Sequence, residues 1–384
     1  MAQNTLLTSN GTYRQIKREY ITINGVHRRI IAAFATIGGV YRPCSIPQNS
    51  VTVYGRITDL SFHRTDLAAA TIGNHALFAG GLTYSGDGVT ASTYHKTVDA
   101  YDMSLTRSQA TDLSGGRFGI SAVTVGNHAL FGGGSTGTDG VNTVDAYDSS
   151  LTHKTATQFN MVLYYRGATR VGDYALFGGG TPNGNGASAF VDAYNSSLTR
   201  STAADFGTAR HSLAATTVGN HALFAGGLGM SYTGSIEAYD ASLTHTVPTT
   251  TLSVGRRYLA ATAVGNYALF GGGDNGDFVK KLDIIDSSLT RVSSTLELSV
   301  GRARLAATTL HGFAMFAGGG STSASDAVDT FDASITTRRR SSITEARYRL
   351  AATTLGDFAL FGGGSNGGGS GGNGSSAQVH AFLA

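Results

Sequence analysis

Tryptophan is absent from the chain and cysteine occurs once, at Cys44. A single thiol excludes an internal disulfide and any cysteine-built zinc cluster. Proline is scarce, at four residues, and charged residues make up only 14% of the 384, with a formal net charge of +3. So slight a positive balance does not point to nucleic acid. No apolar run reaches membrane-spanning length, and the opening MAQNTLLTSNGTYRQIKR has no apolar signal-peptide core. These absences predict a soluble protein that inserts in no membrane and is not exported by the usual route. Glycine, by contrast, is abundant at 53 residues, and hydrophobic residues reach 41%, ample for a core. Much of the glycine recurs at fixed places, which assigns it to turns.

One phrase organises the chain in seven copies: NHALFAGG, NHALFGGG, DYALFGGG, NHALFAGG, NYALFGGG, GFAMFAGG and DFALFGGG. Their alanines are Ala76, Ala129, Ala175, Ala222, Ala268, Ala314 and Ala359, at spacings of 53, 46, 47, 46, 46 and 45 residues. A period in the forties predicts a propeller of repeated four-stranded sheets and overrides the length prior of two or three domains. Residues 50–384 then form one propeller, and residues 1–49 a separate module.

Residues 210–255 show one repeat. SLAATTV is small and β-branched, as an inner strand beside a crowded axis requires. Gly219-Asn220 turns into HALFAGG, SIEAYD forms a third strand, and LTHTVPTTTL an outer one. The last repeat ends after AQVHAFLA, at a third strand. Upstream of the first repeat, VTVYGRITDLSFHR aligns with LTHTVPTTTLSVGR, so residues 51–60 supply the missing outer strand of blade seven. The expected fold is an all-β, seven-bladed β-propeller closed by an N-terminal strand, which leaves no free sheet edge.

The doubled glycine after a short apolar strand, followed by a tyrosine in the third strand, resembles the kelch repeat over roughly residues 50–384. Kelch repeats carry a tryptophan after that tyrosine; here SLTR and SLTH stand in its neighbourhood.

The turns from first to second and from third to fourth strand are monotonous (VGN, VGD, LGD; YDSSL, YDASL, YNSSL). On the opposite face, the segments from second to third strand differ from blade to blade, as in STGTDGVNT, LGMSYTGS and DNGDFVKK. Loops that differ within one molecule are free for binding. The glycine-rich stretch at 362–376 is expected to be a long exposed loop on this face, and the recurrent His75, His128 and His221 to be structural.

Candidate binding residues lie on the same variable face. Twelve residues before the anchor alanines stand Arg64, Arg117, Arg210, Arg256, Arg302 and Arg347, with Leu163 and nearby Arg166 in the third blade. The next positions bring Phe118, Tyr164, Tyr165, His211, Arg257, Tyr258, Arg304, Tyr348 and Arg349. Arginine offers paired donors to carboxylate or phosphate, and tyrosine a flat face with a hydroxyl. The fixed arginines also admit a structural reading, bonding carbonyls or carboxylates of the blades.

Residues 12–42 carry a shorter repeat around Gly25-Val26 and Gly39-Val40, with hairpin signals at Asn24-Gly25 and Gly38-Gly39. A meander of about three strands is expected, too small to be stable without a partner or a homo-oligomer. Its Lys17, Arg18, Arg28 and Arg29 are expected to be solvated. The phrasing ITINGVHRRIIAAFATIGGVYRP resembles a module of tail-associated proteins of phages and prophages of Gram-positive hosts, and YDSSLTR is similar to propellers of such genomes. The resemblance implies a virion tail location, other tail proteins as partners of residues 1–49, and a host-surface glycan or protein as partner of the variable face.

Two other functions compete. An intracellular, cytoplasmic kelch-type interaction module would use the six fixed arginines to grip acidic peptides. A sugar-modifying enzyme would need a carboxylate pair that the repeat does not provide, Asp66 being the one acid among the positions before the inner strands. The copper chemistry of galactose oxidase needs a propeller cysteine, and Cys44 precedes the propeller. Sialidase boxes need tryptophan. A non-enzymatic binder without cofactor or metal is the expectation.

Overall fold

The computed structural model describes the backbone of six N-terminal strands and of residues 50–384, apart from 86–90, 183–185 and 368–373. No helix occurs among the described residues. The chain divides into two compact units, Met1–Ser50 and Val51–Ala384.

The first unit corrects the three-stranded expectation. Its strands Thr5–Ser9, Thr12–Ile16, Tyr20–Ile23, Val26–Arg29, Ala33–Ile37 and Val40–Cys44 pair as three separate antiparallel hairpins. Each run is only four or five residues long, so a turn folds it onto its immediate neighbour. Ile23 pairs with Val26 and Ile37 with Val40. The proposed turn residues between them, and the side chains of Lys17, Arg18, Arg28 and Arg29, lie outside the described residues.

The second unit is seven antiparallel four-stranded sheets, with an added two-stranded pair, Leu82–Tyr84 and Ala91–Tyr94, between the second and third strands of blade one. In blade four the strands are Ala214–Val218, His221–Ala225, Ile236–Tyr239 and His245–Thr246. Blade seven joins Ala351–Leu355, Phe358–Gly362 and Val379–Leu383 to Thr52–Arg56, with Leu383 opposite Thr52. The closure read from the sequence is therefore present.

Inner strands adjoin one another around the axis, where small residues let them approach and threonines tie neighbouring blades. Thr262 bonds Thr309 at 2.6 Å and Thr308 bonds Thr354 at 2.8 Å. Between blades, each second strand places a fully buried aromatic ring: Phe78, Phe131, Phe177, Phe224, Phe270, Phe316 and Phe361. The third-strand tyrosine packs edge-on against it, 5.9 Å between centroids for Phe78 and Tyr101. Its hydroxyl donates to a carbonyl, that of Thr58, which lies between blade seven's outer strand and blade one. Burying such a ring removes on the order of 2 kcal/mol of apolar exposure.

The doubled glycine has a steric cause. Gly80 and Gly81 hold φ of +68° and +99°, and a Cβ would lie 2.8 Å from the Arg117 carbonyl oxygen or 2.7 Å from that of Thr65. The monotonous YDSSLT turn is also scaffold. The Asp102 carboxylate accepts the N–H groups of Ser104 and Thr106, while Leu105 takes a left-handed φ of +61° and stays buried. The central residues of the glycine-rich stretch lie outside the described residues; Ser375, at its end, pairs with Ser365.

Candidate functional site: the mouth of the propeller axis

The lead-in to each inner strand crosses from one blade to the next, and its residues separate into three roles. The first is the fixed arginine, whose backbone N–H bonds the preceding blade while its side chain enters the next. Arg117 donates from its backbone to His95, and its guanidinium reaches the Phe131 carbonyl and, at 2.5 Å, Asp145. Arg64 meets Asp99 at 2.6 Å, Arg210 meets Glu237 at 3.1 Å, Arg256 meets Asp283 at 2.7 Å and Arg302 meets Asp329 at 2.8 Å. Arg347 bonds the Phe361 carbonyl at 3.2 Å.

This geometry corrects the expectation that the ring binds ligand. Arg64, Arg117, Arg210, Arg256, Arg302 and Arg347 are at most 1% exposed, and desolvation pulls the pKa of Arg64, Arg210, Arg256, Arg302 and Arg347 down. Their guanidiniums are closed to solvent. They brace blade against blade, as the structural alternative holds. In blade three Leu163 takes the arginine position and Arg166 the usual leucine position. Arg166 still delivers its guanidinium to Asp192, at 2.8 Å, and to the Phe177 carbonyl.

The residue after the arginine forms an outer circle. Phe118, Tyr164, His211, Arg257 and Tyr348 are partly exposed, and their backbones bridge to Ser135, Thr181, Leu228, Asp274 and Ser365. Residues of the second-to-third-strand segments that sequence reasoning missed lean onto this circle. Tyr94 stacks on Phe118 at 5.7 Å, Tyr232 lies under Arg257 at 5.7 Å, and Phe278 is 41% exposed nearby. Their signal was only that they sit in variable loops. Which loop residue reaches which lead-in depends on folded loop conformation.

One residue further on, the chain builds an inner circle of Asp66, Gly119, Tyr165, Ser212, Tyr258, Arg304 and Arg349. All seven hold left-handed φ, between +55° and +64°. Each N–H donates to the carbonyl of the equivalent residue one blade back: Gly119 to Asp66, Tyr165 to Gly119, Ser212 to Tyr165, Tyr258 to Ser212, Arg304 to Tyr258, Arg349 to Arg304 and Asp66 to Arg349. Seven hydrogen bonds of 2.8–3.1 Å thus close a cycle around the axis.

The cycle rims a cavity of about 200 Å³, floored by Leu67, Ile120, Leu213, Leu259, Leu305 and Leu350. Within it Arg349 bonds Asp66 at 3.1 Å and the hydroxyl of Tyr84, from the segment between the second and third strands of blade one, at 2.7 Å. Burial pushes the Arg349 pKa down, but Asp66 together with Tyr84, Tyr165 and Tyr348 outweighs this and the net shift is upward. Arg257 pairs with Asp274 at 3.2 Å. The guanidinium of Arg304 lies over the Tyr258 ring, 4.4 Å from its centroid. Phe118, Tyr164, Tyr165, His211, Arg257, Tyr258, Arg304, Tyr348 and Arg349 are thus gathered at one mouth. Among the described residues, no cluster of three or more histidine, cysteine or acidic side chains is placed to hold a metal ion.

Fold and mouth together define the class, a seven-bladed β-propeller with an aromatic and cationic axial opening. No protein-family model matches the chain, and no curated protein matches it in sequence. A solved structure described as "Structure of YjhT" is similar, with a TM-score of 0.55 and 10% identity over 85% of this chain and 96% of that one. At that identity the likeness shows the fold alone.

Proposed function

We propose that this chain is a non-enzymatic attachment component of a phage or phage-like tail. Its propeller binds a host-surface glycan or protein through the axial mouth, and residues 1–49 dock onto other tail proteins. The tail assignment rests on the resemblance of the N-terminal phrasing and of the YDSSLTR turns to such proteins. The binding assignment rests on the inner circle. A side chain in the left-handed region costs roughly 1–2 kcal/mol, and Gly119 shows that glycine completes the same hydrogen bond. Two tyrosines and two arginines nevertheless occupy that conformation, so their side chains are kept against a local conformational preference. The same conformation serves the scaffold turn at Leu105, whose side chain is buried, whereas at the rim these four side chains line the axial cavity, where a ligand would meet them. A binder rather than a catalyst is favoured because, among the described residues lining the axial cavity, Asp66 is the one carboxylate, and it is held by Arg349.

The test is capture of the full chain by an array of bacterial surface glycans and by whole Gram-positive cells, with Tyr258→Gly as the probe of the mouth. That substitution should abolish capture while shifting stability by no more than about 1 kcal/mol, since the relief of left-handed strain offsets the entropy of glycine. Capture that survives the substitution removes the mouth from the site. No capture at high avidity on either surface refutes the attachment reading.

A further inference from the structure

The mouth carries three guanidiniums, and two of them are engaged by carboxylates, Arg349 by Asp66 and Arg257 by Asp274. Among the described residues Arg304 has no carboxylate partner, and its guanidinium lies on the face of Tyr258. It also stands on a wall shared by two cavities. One is the axial cavity; the other, of about 320 Å³, lies outward among Phe278, Ser321, Ser323, Tyr348 and Gly367.

We propose that Arg304 is the anion-recognition residue of the mouth and that the ligand is an acidic saccharide carrying one carboxylate. The inference rests on the attachment reading above. A planar guanidinium flattened on an aromatic ring presents its edge donors in a fork that matches a carboxylate. One uncompensated cation suits a single negative charge, so a carboxylate fits better than a phosphate monoester, which carries nearly two.

The surroundings favour a sugar over an acidic peptide. Peptides commonly bind by adding a strand to free backbone edges. Here the backbones flanking the mouth are already used, by the closed cycle and by the outer bridges at Phe118, Tyr164, His211, Arg257 and Tyr348. Recognition is left to rings and hydroxyls. The axial cavity is also small beside the roughly 300–1,000 Å³ of drug-sized pockets, which suits one sugar ring. That ring sits in the axial cavity with its carboxylate on Arg304, and the next sugar extends toward Phe278 and Tyr348.

The experiment measures binding of glucuronate and of glucose to the full chain by calorimetry or saturation-transfer NMR, beside the glycan array. Glucuronate should bind at least about tenfold more tightly than glucose, the size of one charge-assisted contact. Arg304→Gln should erase that preference with an unchanged melting temperature, and Arg304→Lys should keep part of it, having charge without the fork. Equal binding of the two sugars, or a preference that survives Arg304→Gln, overturns the inference. So does binding of neither sugar while neutral glycans are captured on the array, or selective binding of an aspartate-rich peptide. In these cases capture on the array leaves the attachment reading standing, whereas loss of all capture sinks that reading itself.

Discussion

His380 stands beside Arg347 inside blade seven, at the register position where the other six blades place a carboxylate. It pairs with Phe361 as Asp99 pairs with Phe78 and Asp329 with Phe316. Both side chains are buried, at 0% and 2% exposure, and Nε and Nη1 of Arg347 and both ring nitrogens of His380 lack hydrogen-bond partners. Desolvation lowers the Arg347 pKa to about 10. Blade seven alone braces its arginine without a buried counter-ion on the third strand.

His380→Asp should therefore stabilise the fold. It restores the pair that Arg302 and Asp329 make in blade six, and the gain should be about 1–3 kcal/mol at neutral pH. Chemical denaturation of the two proteins decides the matter; a less stable variant would show that blade seven is shaped around the imidazole.

Acid sensitivity follows from the same residue. Burial, and then the charge of Arg347, lowers His380 from 6.5 to about 4; burial and Arg64 do the same to His95. The unfolded chain then binds these protons first as pH falls, so stability is complete above about 6.5 and is lost toward 4. Melting temperature should decline across that window, and less so in His380→Gln. Asp145 acts in a lower range: burial raises its pKa, Arg117 and His153 more than reverse this, and its contribution disappears below 3.8. A melting temperature flat from pH 7 to 4.5 would contradict the assignment of the histidines.

The exchange in blade three gives a double-mutant cycle. Arg166→Leu leaves Asp192 buried with only Arg200 and should cost about 3–5 kcal/mol. Leu163→Arg crowds a second guanidinium into the same place and should also destabilise. The double substitution recreates the arrangement of the other blades and should recover most of the loss. Additive losses would mean that the two positions do not share one guanidinium site.

Much of the fold was legible because the anchor alanines recur at a blade's length and the upstream LSFHR aligns with LSVGR. The role of the fixed arginines was harder to see. Their partners stand 27–35 residues downstream, from Arg64 to Asp99 and from Arg256 to Asp283, and only folding joins the two. The signal was nonetheless present, since the repeat carries an acid at the equivalent third-strand position wherever it carries that arginine, save at His380. The variable Tyr, Phe, His and Arg neighbours fell on the mouth because the lead-in repeats its backbone in every blade. Tyr84, Tyr94 and Tyr232 belong to second-to-third-strand segments of unequal length, so no repeat position foretells where they land.

The cycle of seven backbone hydrogen bonds separates address from content. Its bonds and its left-handed turns are made by main chain alone, whether the residue is glycine, serine, aspartate, tyrosine or arginine. Positions 66, 119, 165, 212, 258, 304 and 349 therefore behave as seven interchangeable sockets on a rigid collar. The chemistry of the mouth can thus change by point substitution, without lengthening a loop or moving a strand.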